Sequence, residues 1–516
     1  MKFTNFFRHP WDIYLFAAFS SILLSIGISL HEVVVNPDAI CYLKSAETFA
    51  LDGMRAAMRL CDQAKWPFYS YLIYQLAKIT HISYTAAAFT LDGIFSFISV
   101  MTFITIVRLL ENRRSIIWFA AIVILLAHEF NSTRQYIVRD HGFWAFYLMS
   151  VFFILKFMDG FKIRFALGWS FATLIATLFR VEGAIFLLFA PLITFFDTRV
   201  TWMTRIQSFL KLNIISAVVA VIFLIGFLQH PEKGMAHFGR IPEIQNQLLN
   251  GAVDMVRGFH DRAEALKHYV LGMNAARDAF TIMFLVVIAS YLMNVINNVS
   301  LIYAGLIAYA WWKRLVRVPR FQRMVLWGFV ILNLIVTFVF FVENMFLSKR
   351  YLIALSLILM MWLPFALDDL LRRFRLYFTV QKIYGLFPVV IALVIISSLG
   401  GIFDFGYSKT YIRNAGEWLA QNAPESSAIY SNDYQVMYYS KHFESTIFKK
   451  SQEYADISMI QNNGWKKFDY VVLQFSKKEL DKDPIVLQEI AMKPVQVFAN
   501  KRGDQVSIYK INRRPA

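Results

Sequence analysis

Charge is scarce in this chain. Asp, Glu, Lys and Arg make up 17% of its 516 residues, against roughly 25% in soluble domains, which excludes an ordinary soluble globular protein. Cysteine is nearly absent: the two present, Cys41 and Cys61, are too few for a disulfide framework or a cysteine zinc site. No Gly-rich phosphate loop, HExxH or GxSxG occurs, so P-loop, zincin and nucleophile-elbow chemistry have no motif to rest on. There is no internal repeat. The apolar tract Trp11–Leu30 follows Lys2 and Arg8 like a signal sequence, but no small-residue cleavage site follows it, so an uncleaved first span is expected.

Apolar residues fill the space that charge leaves. They form 58% of the chain, and the mean hydropathy is +0.49. Eleven tracts read as candidate spans: 11–30, 85–108, 115–128, 141–158, 165–179, 184–197, 209–228, 280–312, 324–342, 351–367 and 383–402. Several are short for a bilayer, which takes about 20 residues. The pair 165–179 and 184–197, divided by Phe179-Arg180-Val181-Glu182-Gly183, reads as a re-entrant hairpin. Tract 280–312 is too long for one span, and Asn294, Asn297 and Asn298 mark an expected break.

The net charge of +17 does not call for nucleic acid, because the basic residues sit mainly in short connections between apolar tracts. Arg108/Arg113/Arg114, Lys156/Lys162/Arg164, Arg199/Arg205/Lys211, Lys313/Arg314/Arg317/Arg320/Arg323 and Arg372/Arg373/Arg375/Lys382 mark five such connections. With eleven spans and a cytoplasmic N-terminus, all five fall on the cytoplasmic side. The first loop, segment 129–140, the loop 229–279, the turn 343–350 and the C-terminal tail then share the outer face. Asn131-Ser132-Thr133 and Asn298-Val299-Ser300 match the glycosylation pattern only weakly.

The first loop, 31–69, is the most informative polar stretch. Asn36-Pro37-Asp38 is a helix-start signal with Asp38 as capping side chain. Ala39, Leu43, Ala46 and Ala50, flanked by Tyr42 and Phe49, draw an apolar stripe, with Lys44, Ser45, Glu47 and Thr48 facing away. Asp52-Gly53 ends this helix, a second is expected over 54–60, and Trp66-Pro67 closes the loop. Two short helices on a membrane surface would present Asp38 at the water boundary. If they are antiparallel, Cys41 faces Cys61 and a disulfide forms in an outer loop, where oxidation is allowed; the alternative is two reduced thiols.

From about Phe405 the composition becomes soluble. Tyr411–Gln421 reads as helix, Ser427–Asn432 as strand, and Ile457–Asn462 as the end of another helix. Asp469–Phe475 reads as a buried strand, and Val495–Ala499 with Gln505–Ile511 as a hairpin around Arg502-Gly503-Asp504. The expected organisation is a transmembrane domain over 1–404, carrying the first outer loop at 31–69, and a small extracytoplasmic α/β domain over 405–516.

Several of these stretches resemble one superfamily in order along the chain. NPDAICYLKSAETFA followed by WPFYSYLI resembles the first outer loop of GT-C polyprenyl-phosphate-sugar glycosyltransferases, which include protein O-mannosyltransferases and lipid A aminoarabinose transferases. STRQYIVRDHGFWAFYL resembles their second outer loop, FRVEG their fifth-to-sixth-span turn, and KRYLIALSLIL their late Arg-Tyr segment. The resemblance implies a GT-C-like polytopic α-helical fold of about eleven transmembrane helices in a bacterial inner membrane, with the N-terminus cytoplasmic and the C-terminal domain outside. It implies transfer of a sugar from a polyprenyl-phosphate lipid to an extracytoplasmic acceptor, a glycolipid, polysaccharide or protein.

Asp38 would then be the general base. Lys349, Arg350 and Tyr351 would bind the carrier phosphate, the first two stabilising it as it departs. Arg139 follows as a phosphate contact, Asp140 as an orienting member of the catalytic group, and Lys65 as a further phosphate contact. Inversion is expected, since no second carboxylate stands out as nucleophile. Arg180 and Glu182 read as a structural pair at a turn, and His141 as a capping or interfacial residue. Some oligosaccharyltransferases of the superfamily use a divalent metal, but no clear paired acidic motif supports one here. The alternative from another class is a lipid or polysaccharide transporter without transfer chemistry. A third is a non-catalytic receptor acting through its C-terminal domain.

Overall fold

A computed structural model describes residues 10–31, 34–229, 241–381, 386–403, 406–442, 464–482 and 493–511. The chain divides into two compact units. One comprises Met1–Ile26, Thr90–Gln135 and Arg139–Phe403; the other comprises Gly27–Phe89, Tyr136–Val138 and Asp404–Ala516.

The first unit is helical. Among the described residues, seven helices of the chain are long and apolar enough to cross a membrane: Trp11–Leu30, Tyr84–Leu110, Asp140–Gly160, Trp202–Val221, Ala276–Val299, Arg320–Asn344 and Lys349–Leu376. The pair Arg114–Leu125 and His128–Gln135, bent by 48°, makes an eighth if taken as one span. Ile163–Phe179, Gly183–Phe196, Leu301–Trp312 and Phe387–Ile402 are shorter apolar helices. Every expected tract therefore has a helical counterpart, and four of these helices are shorter than a full span, as the short tracts in the sequence suggest.

The long tract 280–312 breaks at Ser300, whose φ is +79°, two residues beyond the asparagine cluster. Asn298 has a different task. Its amide donates to the Lys349 carbonyl (2.7 Å) and accepts from Ser356 (2.5 Å), pinning the start of helix Lys349–Leu359. Asn298 and Asn131 are both buried, so neither glycosylation match presents an accessible side chain.

Ion pairs, hydrogen bonds and one cation–π contact link the five basic connections at one end of this unit. Arg113 pairs with buried Asp368 (2.7 Å), which also accepts from Arg372 (3.1 Å). Tyr309 donates to Asp369 (2.5 Å). Arg199 donates to the Met158 carbonyl (2.7 Å) and lies 3.9 Å from the Phe321 ring centre. The basic clusters that suggested a common side are thus physically joined.

The second unit combines the first loop with the C-terminal region. Helix Pro37–Leu51 starts with Pro at its first position, where the fixed φ suits a helix and no amide is lost. Gly53, at φ +78°, turns the chain into helix Gly53–Ala57 and then the 3₁₀ turn Gln63–Lys65. Cys41 and Cys61 are disulfide-bonded, with Cα atoms 6.2 Å apart. Helix Phe68–Thr80 packs alongside, with Tyr42 edge-on to Tyr69.

Two expectations for helix Pro37–Leu51 are corrected. The N-cap position belongs to Asn36, so Asp38 lies within the first turn. Ala50 is exposed while Ser45 is fully buried. Burial concentrates at the start of the helix because it is covered there from two directions, by Phe68–Thr80 and by helix Tyr434–Tyr439, rather than along one stripe.

Among its described residues the C-terminal part holds a four-stranded sheet: β1 (Ile429–Ser431), β2 (Tyr470–Phe475), β3 (Gln496–Ala499) and β4 (Gln505–Lys510), in the order β1-β2-β4-β3. β1 and β2 are parallel; β2/β4 and β3/β4 are antiparallel, the latter forming the expected hairpin. Alternation along β2 sends Tyr470 and Val472 to one face and Val471 and Leu473 to the other, each face with its own apolar cluster. Helix Thr410–Asn422 covers the first face. The helix end expected at Ile457–Asn462 lies outside the described residues.

Candidate active site

In the first unit, charged side chains converge where helix Asp140–Gly160, the turn 180–182 and helix Lys349–Leu359 meet. Two glycines permit the approach. The ring of Phe179 occupies the space a Cβ on Gly142 would fill, and a Cβ on Gly183 would stand 2.7 Å from the Thr177 backbone. The turn therefore folds tightly and delivers Arg180 onto Asp140.

Arg180 ion-pairs with both Asp140 and Glu182. Its guanidinium also lies 4.4 Å from the centre of the Tyr351 ring, and that of Arg350 lies 5.5 Å from the same ring. Both Arg180 and Asp140 are buried. Arg350 and Arg139 add their fields to that of Arg180 at Asp140. The guanidiniums of Arg139, Arg180 and Arg350 thus gather about two carboxylates, Asp140 and Glu182. Arg139 Nη1 is buried and meets no hydrogen-bond acceptor among the described residues.

Arg180, Glu182, Arg350 and Tyr351 line a cavity of about 40 Å³, with Phe143 and Phe186 among its apolar lining. That volume holds a few water-sized groups. Beside it, Lys349 pairs with buried Glu129 at 2.6 Å, so much of its charge is already answered.

His141 is fully buried rather than interfacial. One ring nitrogen lies 3.2 Å from the Thr133 carbonyl and the other 3.3 Å from the Ser96 hydroxyl. Arg134, also buried, donates to Asn131 and to the Ser21 and Ser25 side chains. Both act as wedges that hold the segment leading to Arg139 and Asp140.

In the second unit, Asp38 is half-buried and its carboxylate accepts from Gln63 (3.3 Å). Two residues further on, Lys65 pairs with Asp62 at 2.9 Å. Tyr434 joins this neighbourhood. Burial, then the charges of Asp38 and Asp433, push its phenol up to about 12, so it stays a hydroxyl donor at any physiological pH. Asp433 accepts from the amides of Gln435 (2.6 Å) and Val436 (3.3 Å) and so starts helix Tyr434–Tyr439. Burial raises the Asp433 carboxyl, more than those amides lower it.

The sequence-predicted residues therefore fall into two groups. Asp140, Arg139, Lys349, Arg350 and Tyr351 come together in the first unit; Asp38, Lys65 and the Cys41–Cys61 bridge come together in the second. Arg180 and Glu182 are a pair, as expected, and also the centre of the first group. Gln63, Tyr434 and Asp433 carried no motif. Their relation to Asp38 depends on chain folding alone. Among the described residues no three or more His, Cys, Asp or Glu side chains gather as a metal site.

By sequence, no family model matches the chain and no curated protein is detectably similar. Its fold, however, has solved counterparts. The oligosaccharyltransferase of Archaeoglobus fulgidus, tethered to an acceptor peptide containing the NVT sequon, superposes with a TM-score of 0.54 at 12% identity, over 99% of this chain and 75% of that one. The AglB oligosaccharyltransferase of the same organism, in complex with an inhibitory peptide and a dolichol-phosphate, gives 0.53 at 12% identity over 92% and 70%. ArnT from Cupriavidus metallidurans, bound to undecaprenyl phosphate, gives 0.53 at 12% identity over 98% and 100%. The GT-C-like helical fold with a small C-terminal sheet is thus the fold of this chain.

Proposed function

We propose that the chain is a membrane glycosyltransferase that moves a sugar from a polyprenyl-phosphate carrier to an acceptor outside the cytoplasm. The observation that carries this reading is the convergence of Arg139, Arg180 and Arg350 on Asp140, with Arg180 and Arg350 lining a small cavity beside it. Such a site suits a phosphate that gains charge as it leaves. The shared fold adds support, since two of the similar structures hold a dolichol-phosphate or undecaprenyl phosphate.

In this reading Asp38 takes the proton from an acceptor hydroxyl or amine as that group attacks the anomeric carbon. The anomeric C–O bond to the carrier breaks, its electron pair leaves with the polyprenyl phosphate, and the new glycosidic bond forms. Arg350 and Arg139 meet the phosphate, and Arg180, held by Asp140 and Glu182, adds to the same field. Asp140 is an orienting group, because its carboxylate is already committed to Arg180. Lys349 and Lys65 stand at the margins, each beside a carboxylate. A retaining enzyme would use a second carboxylate as nucleophile; with Asp38 as the single base, the reaction inverts.

Mass spectrometry of envelope glycolipids and glycoproteins, from cells with and without the protein, tests the reading. One missing sugar, restored by the wild-type chain and not by Asp38→Asn, is the expected result. Restoration by Asp38→Asn would instead mean transport without transfer chemistry.

A further inference from the structure

The residues just before Asp38 are held by the C-terminal region. Val34 is buried in the apolar cluster of Ile412, Leu419, Val436, Val472 and Ile508. Both backbone polar groups of Val35 are bound by side chains of helix Tyr434–Tyr439. Its N–H donates to the Tyr439 hydroxyl (2.9 Å), and its carbonyl accepts from the Gln435 amide (2.7 Å). Asn36 is fixed in turn. Its side-chain oxygen accepts from the Ile137 N–H (2.9 Å), its amide donates to the Ile137 carbonyl (3.3 Å), and its own carbonyl receives the first helical bond, from Ala39 (3.0 Å).

A chain entering a helix has backbone groups that the helix cannot satisfy. The peptide ahead of the helix needs partners as well, and those of Val35 are side chains some 400 residues away in sequence. The supporting helix is itself braced. Asp433 caps it, and Gly416 of helix Thr410–Asn422 lies so close that a Cβ there would stand 2.7 Å from the Val436 carbonyl.

We infer that the C-terminal region is a positioning element of the transfer reaction, with Gln435 and Tyr439 clamping the Val35 peptide so that helix Pro37–Leu51 presents Asp38 in one orientation. Gln435 and Tyr439 are positioning residues and touch no reacting atom. The inference rests on Asp38 being the catalytic carboxylate. A base must be held within a fraction of an ångström of its productive geometry, and misplacement by about 1 Å costs on the order of 10² in rate. A region that only recruited acceptors would have no reason to grip the peptide preceding Asp38.

The test is the pair Gln435→Leu with Tyr439→Phe in the full-length protein, compared with Leu473→Ala on the other face of the sheet and with Asp38→Asn. Leu473→Ala loosens the same region without touching Val35, and stability is recorded for all. Three readouts are taken: amide hydrogen exchange over 34–39, the rate of appearance of the glycosylated envelope product after induction, and thermal stabilisation of purified protein by undecaprenyl phosphate. In the paired variant, exchange over 34–39 should rise about fivefold or more and product formation should fall about 10- to 100-fold, with stabilisation by undecaprenyl phosphate kept. Leu473→Ala should change neither exchange over 34–39 nor product formation. Unchanged exchange in the paired variant, or wild-type product formation while Asp38→Asn makes none, would overturn the clamp and leave the proposed function standing. Product formation by Asp38→Asn would overturn both together.

Discussion

Arg180 reaches across 40 positions of sequence to form a buried ion pair with Asp140, and the same guanidinium lies 4.4 Å from the Tyr351 ring centre. Three segments that resemble separate loops in the sequence thereby become one site. Neither partner of the pair has solvent to fall back on, since both are buried. Removing one partner of such a pair costs about 3–5 kcal/mol because the other charge is left uncompensated. Asp140→Asn should therefore lower the melting temperature in detergent markedly, and Asp140→Glu much less. Wild-type melting of Asp140→Asn would show that the pair contributes nothing to the fold.

The base and the phosphate contacts should separate under mutation. Asp38→Asn keeps size while removing basicity, so turnover should vanish with folding and stabilisation by undecaprenyl phosphate retained. Arg350→Ala should weaken that stabilisation as well as turnover, because the phosphate loses a partner in the bound state too. Arg350→Lys should recover only part, since the planar fork is lost. Normal undecaprenyl phosphate binding by Arg350→Ala would move the phosphate site away, with Arg139 the next position to test.

The Cys41–Cys61 bridge closes a separation of 20 residues, which in the chain-entropy account stabilises by about 3 kcal/mol. Native protein should take up no maleimide before reduction and two equivalents after it. Cys41→Ser with Cys61→Ser should melt at a lower temperature while Asp38 activity falls less than in Asp38→Asn. Uptake by the unreduced protein would refute the bridge.

The joining of the five basic connections at one end of the first unit makes a topological prediction, since basic connections favour the cytoplasmic side. A reporter fused at Arg317 should be active only inside the cell, and one fused after Ala516 only outside. The reverse pattern would place Asp38 in the cytoplasm and remove the proposed donor and acceptor from its reach.

Local physics accounts for what the sequence determined by itself. Apolar tracts, basic connections, Asp52-Gly53 and the alternating strands of the C-terminal region are set by hydropathy, charge and turn chemistry over a few residues, so the helical architecture and the hairpin could be read directly. The broken tract 280–312 was legible as broken, but its break at Ser300 and the pinning role of Asn298 depend on Lys349 and Ser356, half a hundred residues on. Asp38 looked like a helix cap because an acid after Asn-Pro usually is one. Asn36 takes the cap position by its extended backbone, while its side chain is used on Ile137 and makes no capping bond.

What tertiary structure alone decided is which of these polar groups meet. The burial of His141 and Arg134, the placement of Arg180 against Asp140, and the grip of Gln435 and Tyr439 on Val35 are contacts between segments 8 to more than 400 residues apart. No local propensity encodes them. Such pairings are selected by the cost of leaving a charge or a peptide group unsatisfied away from water, and that cost exists only once the chain has folded.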